Sequence, residues 1–368
     1  MKKIVFILLS IFIAPLLSFS QGCSDAGDDD GVKIIGYIQP QYEYQFLGDS
    51  VQKTMHNLKS PSSFFFHRAR LGVTGNIPYD FSYYFLAEFS PSHGGPYVLD
   101  AFVTYKRWAP YLKISFGQFK SPFGLELQTP CHDLYTIYRS RVVSELASPF
   151  RDFGVMLLGG TGEKEIFGLK NENIFSYMIA ITNGSMLNTF DNNTDKDFTA
   201  RFMFSPFEGF KIGASYRYGR QAAVVSTEPD DTRSRWGADF SLKKWSIILQ
   251  GEYIRGEDKG SSLVGGGCGS TPTIVKGNFT KNGYWTAIQY ETSWMFNPII
   301  KYQTFNVSSD VASVDDFTQT EYIFGFSYYM NDWTRLQLNY VMTKDTNIPD
   351  KPEYSKNYIV VQVQAKFN

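Results

Sequence analysis

Basic side chains surround one long segment of the chain that lacks a strand pattern. Lys120 stands at its start, Arg139 and Arg141 lie within it, and Arg151 follows its end. A guanidinium binds phosphate or carboxylate through two parallel hydrogen bonds, and rings of Arg and Lys in a pore favour anions. Residue type and position therefore predict anion binding around this segment. A charged lining that only keeps a wide pore hydrated is the simpler alternative.

Charges on the polar faces of the predicted strands show a similar basic excess. Because side chains alternate along a strand, Arg68, Arg70 and Lys113 fall on the face opposite the apolar residues. The cations on such faces are Arg68, Arg70, Lys106, Lys113, Arg201, Lys211, Arg217, Arg233, Arg235, Lys301 and Arg335. The acids are Glu88, Asp100, Asp197, Asp239, Glu252, Glu291 and Glu321. The whole chain carries a net charge of -1, which does not indicate nucleic-acid binding.

Catalytic and metal chemistry have little support in the sequence. Acid-base catalysis needs a positioned base, and none of the four histidines lies in a recognisable nucleophile motif. The acidic run at 28–30 lacks the spaced ligands of a calcium loop. We therefore predict neither an enzyme nor a bound metal or cofactor.

Strands must position the charged side chains, and the last strand shows the pattern most clearly. Between Ile359 and Phe367, apolar residues fall on one face, whereas Gln362 and Gln364 fall on the other. An Arg or Lys on a lipid-facing position costs roughly 2–4 kcal/mol, so the polar faces must meet water. About 16 segments have strand character, an even number typical of bacterial barrels. The predicted spans are 32–46, 63–76, 80–90, 97–108, 111–119, 151–159, 173–183, 196–205, 209–219, 233–242, 244–255, 283–291, 298–307, 317–329, 332–343 and 357–367.

The lengths of the connections distinguish a membrane barrel from a soluble sandwich. Short turns such as 76–79 and 206–208 alternate with longer polar loops such as 47–62 and 256–282. Outer-membrane barrels have short periplasmic turns, longer external loops and aromatic girdles, which agrees with 24 Tyr, 32 Phe and 6 Trp. We therefore predict an all-β chain that forms a transmembrane antiparallel β-barrel. The segment 160–172 is long for a turn and is the weakest point of the strand count.

The segment 120–150 is the third long loop and, at roughly 30 residues, is far longer than an ordinary hairpin loop. Its apolar content argues against a solvated loop. The apolar residues are Leu125, Leu127, Leu134, Ile137, Val142, Val143 and Leu146. We expect this loop to fold into the lumen and to narrow the bore.

The N-terminus predicts export. Two lysines precede an apolar run at 4–17 and a small-residue cleavage site, so residues 1–20 have the features of a signal peptide. Residues 21–31 would then form a flexible acidic leader, and residues 32–368 the barrel.

Three cysteines, Cys23, Cys131 and Cys268, do not make a disulfide framework. A bridge between Cys131 and Cys268 remains open as an alternative. Lipidation of Cys23 is also open, although the preceding Ser20-Gln21-Gly22 lacks the aliphatic residue of a lipobox.

The sequence resembles the phosphate-selective porin O and P family over roughly 33–368, most strongly over 63–154. Its motifs occur in the order and spacing of that family. They are Gly36–Gln41, Arg68–Gly72 with Gly75, Asp100–Val103, Gly117–Glu126 and Arg151–Gly154.

The resemblance implies a trimeric porin of about 16 strands whose third loop forms a basic constriction that binds phosphate. By motif, Lys120 corresponds to an anion-binding constriction residue, Arg68 to one of a tandem arginine pair, and Asp100 to a constriction acid. His67 stands where the other arginine of the pair is expected, and alternation places it on the face opposite Arg68. Whether the solute is phosphate therefore stays open. Other small anions, general non-selective passage and a structural outer-membrane barrel without ion preference are the alternatives.

The resemblance also implies the partners of the chain. They are outer-membrane lipid, small anions such as phosphate, and further copies of the chain in a homotrimer. Phe367 resembles the aromatic end that barrel-assembly machinery reads, although Asn368 follows it here.

Overall fold

Strands dominate the structure, a computed structural model that describes residues 31–46, 62–166, 168–223, 230–264, 273–310, 316–346 and 357–367. The strands are β1 (Lys33–Gln45), β2 (Ser62–Ile77), β3 (Phe81–Glu88), β4 (Tyr97–Trp108), β5 (Leu112–Lys120), β6 (Arg151–Gly160), β7 (Lys164–Ile166), β8 (Leu169–Asn171), β9 (Phe175–Thr182), β10 (Asp197–Phe207), β11 (Phe210–Gln221), β12 (Asp231–Lys244), β13 (Ile247–Val264), β14 (Thr273–Tyr290), β15 (Phe296–Ser309), β16 (Phe317–Tyr329), β17 (Thr334–Thr346) and β18 (Tyr358–Phe367). All except β7 and β8 form one closed barrel in which neighbouring strands are antiparallel. The predicted 16-stranded barrel is confirmed.

The last strand closes the barrel against the first. In the register of β1 and β18, Gln41 lies opposite Gln362. Val363 and Phe367 are 39% and 41% exposed, whereas Val360 and Gln362 are buried. The period of two therefore separates an apolar outer face from a polar inner face, as the sequence predicts.

The weakest part of the strand prediction contains an extra hairpin. The strands β7 and β8 pair only with each other, and the barrel continues from β6 directly to β9. The predicted loop at 256–282 is wrong in its extent, because β13 runs to Val264 and β14 begins at Thr273. Backbone pairing continues there although the apolar alternation has ended, since a strand that leaves the lipid needs no apolar face.

The facing predicted for His67 is wrong. In the ladder between β1 and β2, Gln39 pairs with Arg68 but Pro40 pairs with Phe66, so His67 is the extra residue of a β-bulge. A bulge interrupts the alternation of side chains. Both His67 and Arg68 are consequently buried, and His67 Nδ1 lies 3.2 Å from Gln362 Nε2.

The segment 121–150, called the long loop below, contains two short helices. They are α1 (Leu125–Gln128) and α2 (Arg141–Leu146). No helix in the described ranges is long and apolar enough to cross a membrane.

The apolar residues of the long loop pack against strands β13 to β15. The loop contributes Phe123, Leu127, Val142, Val143, Leu146 and Ala147 to this core, and the strands contribute Ile254, Trp285, Ala287, Ile299 and Phe305. Leu134 and Ile137 are buried as well, and Leu125 packs at the edge of the core. The apolar residues of the loop are therefore packed against the barrel wall rather than solvated, whereas its placement in the lumen stays a prediction.

Candidate functional site

Arg70 on β2 contacts groups from three parts of the chain. Its Nε donates to Glu88 Oε2 on β3 at 2.8 Å, and its Nη1 donates to the hydroxyl of Tyr37 on β1 at 2.6 Å. The same Nη1 lies 3.2 Å from Sγ of Cys131 in the long loop. The guanidinium therefore connects the barrel wall to the long loop.

Arg151 forms a two-point ion pair at the end of the long loop. Its Nε and Nη2 donate to the two carboxylate oxygens of Asp100 on β4, at 2.9 and 3.0 Å. Arg151 is the first residue of β6, and in the ladder it lies opposite Lys120, the last residue of β5. The structure thus brings together Lys120, Arg151 and Asp100, three of the predicted site residues.

Three nearby cations have no carboxylate partner among the described residues. Arg68 Nη1 donates to Gln39 Oε1 at 2.9 Å. Arg139 donates to the backbone oxygens of Glu126 and Thr129, at 3.1 and 2.8 Å, and to Cys131 Sγ at 3.3 Å. Lys120 is only 4% exposed, yet its amine makes no hydrogen bond or ion pair with any described residue.

These side chains form one group, called the cation cluster below. It consists of Arg68, Arg70, Lys120, Arg139 and Arg151, and all five interact electrostatically with Cys131. Its only carboxylate partners in the described chain are Glu88 and Asp100. The five positive charges therefore exceed the two negative ones, and a group with net positive charge attracts anions.

The structure does not bring two of the predicted site residues to the cation cluster. Lys113 lies at the opposite end of β5, opposite Leu158, roughly 23 Å along the strand from Lys120. Arg141 lies on α2 and pairs with Glu145 at 2.9 Å. For Lys113, strand alternation predicts which face the side chain lies on but not how far along the barrel axis it lies. For Arg141, a position in the loop predicts neither.

Three charged residues that the sequence placed on polar strand faces, but not at the site, contact the two helices of the long loop. The amine of Lys301 on β15 donates to the carboxylate of Glu126. Glu252 on β13 accepts from the backbone N–H of Glu126 at 3.0 Å and from Trp285 Nε1 at 3.2 Å. Arg217 on β11 donates to the backbone oxygen of Ala147 at 3.0 Å. The polar face of each strand is predictable, but the loop residue that each side chain meets is not.

The middle of the long loop contacts another part of the wall. The hydroxyl of Tyr138 donates to Glu43 Oε2 on β1 at 2.5 Å. The backbone N–H of Ile137 donates to Asn339 Oδ1 on β17 at 2.8 Å, and Arg335 Nη1 donates to the backbone oxygen of Leu134 at 3.1 Å. Together with the contacts to β11, β13 and β15, these hydrogen bonds join the loop to strands on widely separated parts of the barrel.

A cavity of about 790 Å³ adjoins the long loop. Gln128, His132 and Tyr135 of the loop line one side, and Arg201 and Arg335 of the wall line another. No group of three or more metal-ligating side chains occurs in the described residues. The acidic run at 28–30 and the predicted signal peptide at 1–20 lie outside them.

Cys131 is a free thiol in this arrangement. The alternative of a bridge to Cys268 involves a residue outside the described ones, and Cys23 lies outside them as well. The place of Cys131 beside Arg70 and Arg139 could not be predicted, because a loop residue has no alternation that fixes its direction.

A closed antiparallel barrel of 16 strands with an apolar outer face defines the class of outer-membrane β-barrel proteins. The family of phosphate-selective porins O and P matches residues 37–224, just over half of the chain. The chain belongs to this family, and the predicted resemblance is confirmed. Family membership and the barrel together indicate a channel of the outer membrane rather than an enzyme.

Solved outer-membrane proteins share the fold at low sequence identity. OmpF of Salmonella typhi has a TM-score of 0.65 at 15% identity, covering 93% of this chain and 99% of that one. An anion-selective porin from Comamonas acidovorans has 0.64 at 11%, covering 92% and 99%. The trimer form of OmpT, an outer-membrane protein of Vibrio cholerae, has 0.63 at 13%, covering 92% and 99%. Among curated proteins, no sequence matches this chain.

Proposed function

We propose that the barrel is a water-filled channel for passive diffusion and that the long loop lies in its lumen and narrows it. The loop's contacts support this placement. Glu252, Asn339 and Glu43 lie on strands β13, β17 and β1, and all three bind the loop. A loop that stayed above the rim would meet only neighbouring strands, whereas a loop that crosses the lumen can meet all three.

Small anions are the proposed solutes, and the cation cluster is the observation that supports this preference. Five buried or nearly buried cations face only two carboxylates in the described chain. Lys120 and Arg68 have no carboxylate partner among the described residues, so a passing anion can pair with them. Such sites must bind weakly enough to release the ion again, as conduction requires.

Phosphate is one candidate solute, and the name of the family suggests it. His67 reaches the same inner face as Arg68 through the bulge, so the position of the second arginine is filled by a smaller group. A histidine does not provide the fixed two-point donor of an arginine. We therefore propose small anions in general, with phosphate among them.

A channel without ion preference is the second candidate, and one observation favours it. Many inner arginines are neutralised by acids, as in the pairs Arg201–Asp239, Arg70–Glu88 and Arg151–Asp100. A lining of paired charges stays hydrated but creates little net field. The two candidates therefore differ in one respect. In the anion-preferring channel, the cations without a carboxylate partner (Arg68, Lys120 and Arg139) create a net positive field, and in the general channel they do not.

The proposed assembly is a homotrimer in outer-membrane lipid. The trimeric form of the Vibrio cholerae protein, which shares the fold, supports this assembly.

Reconstitution in planar bilayers tests the proposed function. The purified chain should produce ohmic conductance, and the reversal potential in a KCl gradient should have the sign of anion preference. Replacement of chloride by phosphate should keep a measurable current. A reversal potential near zero would support the general channel, and a membrane without conductance would exclude both.

A further inference from the structure

Cys131 holds its sulfur between two guanidinium groups. Arg70 Nη1 and Arg139 Nη1 lie 3.2 and 3.3 Å from Sγ. A neutral thiol is a weak acceptor, whereas a thiolate accepts strongly from charged donors. Two guanidinium donors on one sulfur therefore match the geometry of a thiolate.

The groups around Cys131 also favour the charged form. Burial raises the pKa of the Cys131 thiol, but Arg139, Arg68, Arg70 and Lys120 outweigh it and bring that pKa well below its usual range. The adjacent ring of His132 adds no positive charge near neutral pH, since burial lowers its pKa to about 4.

The cations around Cys131 are only partly balanced by acids, so one more negative charge is favourable there. Arg70 shares its charge with Glu88, and Arg151 shares its charge with Asp100. Lys120 is nine-tenths buried and has no hydrogen bond or ion pair among the described residues, and Cys131 is the strongest attractive charge that it senses. Its amine therefore marks a site that a thiolate, or an anionic group attached to it, can fill.

We propose that Cys131 is a modification site that reacts as a thiolate with small, negatively charged disulfides and related sulfur electrophiles. The thiolate attacks one sulfur of the reagent and forms a new S–S bond. The reagent's own S–S bond breaks, and its electron pair leaves with the second sulfur as a thiolate or sulfinate. The cations that hold Cys131 also attract the anionic reagent, so charge and reactivity act together.

Two methanethiosulfonate reagents of similar size test this site on the full-length protein in detergent. One carries an ethylsulfonate group and the other a trimethylammonium group. Intact-mass and peptide mass spectrometry measure the rate at which each labels Cys131, and this readout does not depend on conductance. Each rate is divided by the rate of the same reagent with free cysteine. We expect the normalised rate of the anionic reagent to be about tenfold higher than that of the cationic reagent, because the surrounding cations attract the negative charge.

The pH profile distinguishes a thiolate from an ordinary thiol. An ordinary thiol labels about tenfold faster for each pH unit between roughly pH 6 and pH 8, because its thiolate fraction rises. Cys131 should label at a nearly constant rate over that range. A Lys120→Gln variant should keep the fold, since this amine has no described hydrogen bond, and should label more slowly with the anionic reagent.

The controls separate a missing site from a missing channel. Cys131→Ser must show no label in the peptide that contains position 131, which identifies the adduct. No labelling of Cys131 in the folded wild-type chain would overturn the proposal. A rate that rises like that of an ordinary thiol would overturn it as well, whatever the bilayer experiments show.

Discussion

Arg151 and Asp100 lie 51 positions apart in the chain and join in a two-point ion pair beside Lys120. Arg151 begins β6 at the end of the long loop, and Asp100 belongs to the wall. The pair fixes the return of the loop to the barrel. It also offsets one positive charge of the cation cluster, and we therefore propose that Asp100 limits the anion preference of the channel.

Asp100→Asn should increase anion preference and lower stability. The amide leaves the Arg151 guanidinium unpaired, so the cation cluster gains one net positive charge. Loss of one partner of a buried ion pair costs about 3–5 kcal/mol, so thermal unfolding should move to lower temperature. The reversal potential and a thermal melt measure the two effects. An unchanged reversal potential in a correctly folded variant would mean that Asp100 does not face the ion path.

Leu146→Ala should enlarge the conductance. Leu146 is fully buried between the long loop and the wall, and a buried Leu→Ala change costs about 2–5 kcal/mol. The substitution weakens the packing of the loop against the wall and leaves the backbone hydrogen bonds between the strands unchanged. The loop should therefore become more mobile while the barrel stays folded. Single-channel recordings should show a larger or noisier current.

Val155→Ala is the matched control for the loop. Val155 lies on the outer face of β6 and is exposed. It should leave the conductance as it is in the wild type. If both variants behave like the wild type, the long loop does not set the size of the bore.

His67→Arg should strengthen anion preference. The bulge turns position 67 to the inner face, so a guanidinium there would stand beside Arg68 and complete the tandem pair of the family. We expect a larger anion preference and a larger phosphate current in bilayers. Phe66→Arg on the lipid side should instead impair assembly, since an Arg at the bilayer midplane costs roughly 2–4 kcal/mol. Poor assembly of both variants would contradict the inner placement of His67.

The barrel is predictable because lipid and water impose a period of two on each strand. This constraint acts on every residue of the wall, so the number of strands and the facing of β18 follow from composition and alternation alone. The constraint ends where a strand leaves the membrane. The end of β13 and the start of β14 therefore could not be predicted as strand from the sequence. The bulge at His67 could not be predicted either, because one extra residue leaves no signal in an aromatic-rich strand.

The site is predictable only in part. The motif of the family pointed to Lys120, Arg68 and Asp100, and the structure brings Lys120 and Asp100 close to Arg151, whereas their role in anion binding stays a prediction. The contact of Lys301 with Glu126 spans 175 positions and depends on the path of the whole loop. The position of Cys131 in the site also depends on the path of the whole loop. Such contacts follow from tertiary packing, which no local pattern encodes.

Charge reversal at Lys120 tests whether the cations without a carboxylate partner set the anion preference of the channel. Lys113→Glu on the same strand is the matched control, because a charge roughly 23 Å away lies beyond the screening length of about 10 Å in 0.1 M salt. The wild type should prefer anions, and Lys120→Glu should move the reversal potential strongly towards cations while Lys113→Glu moves it little. If the wild-type channel prefers cations and the Lys120→Glu channel has the same selectivity, the proposed anion preference and the role of Lys120 in it are wrong.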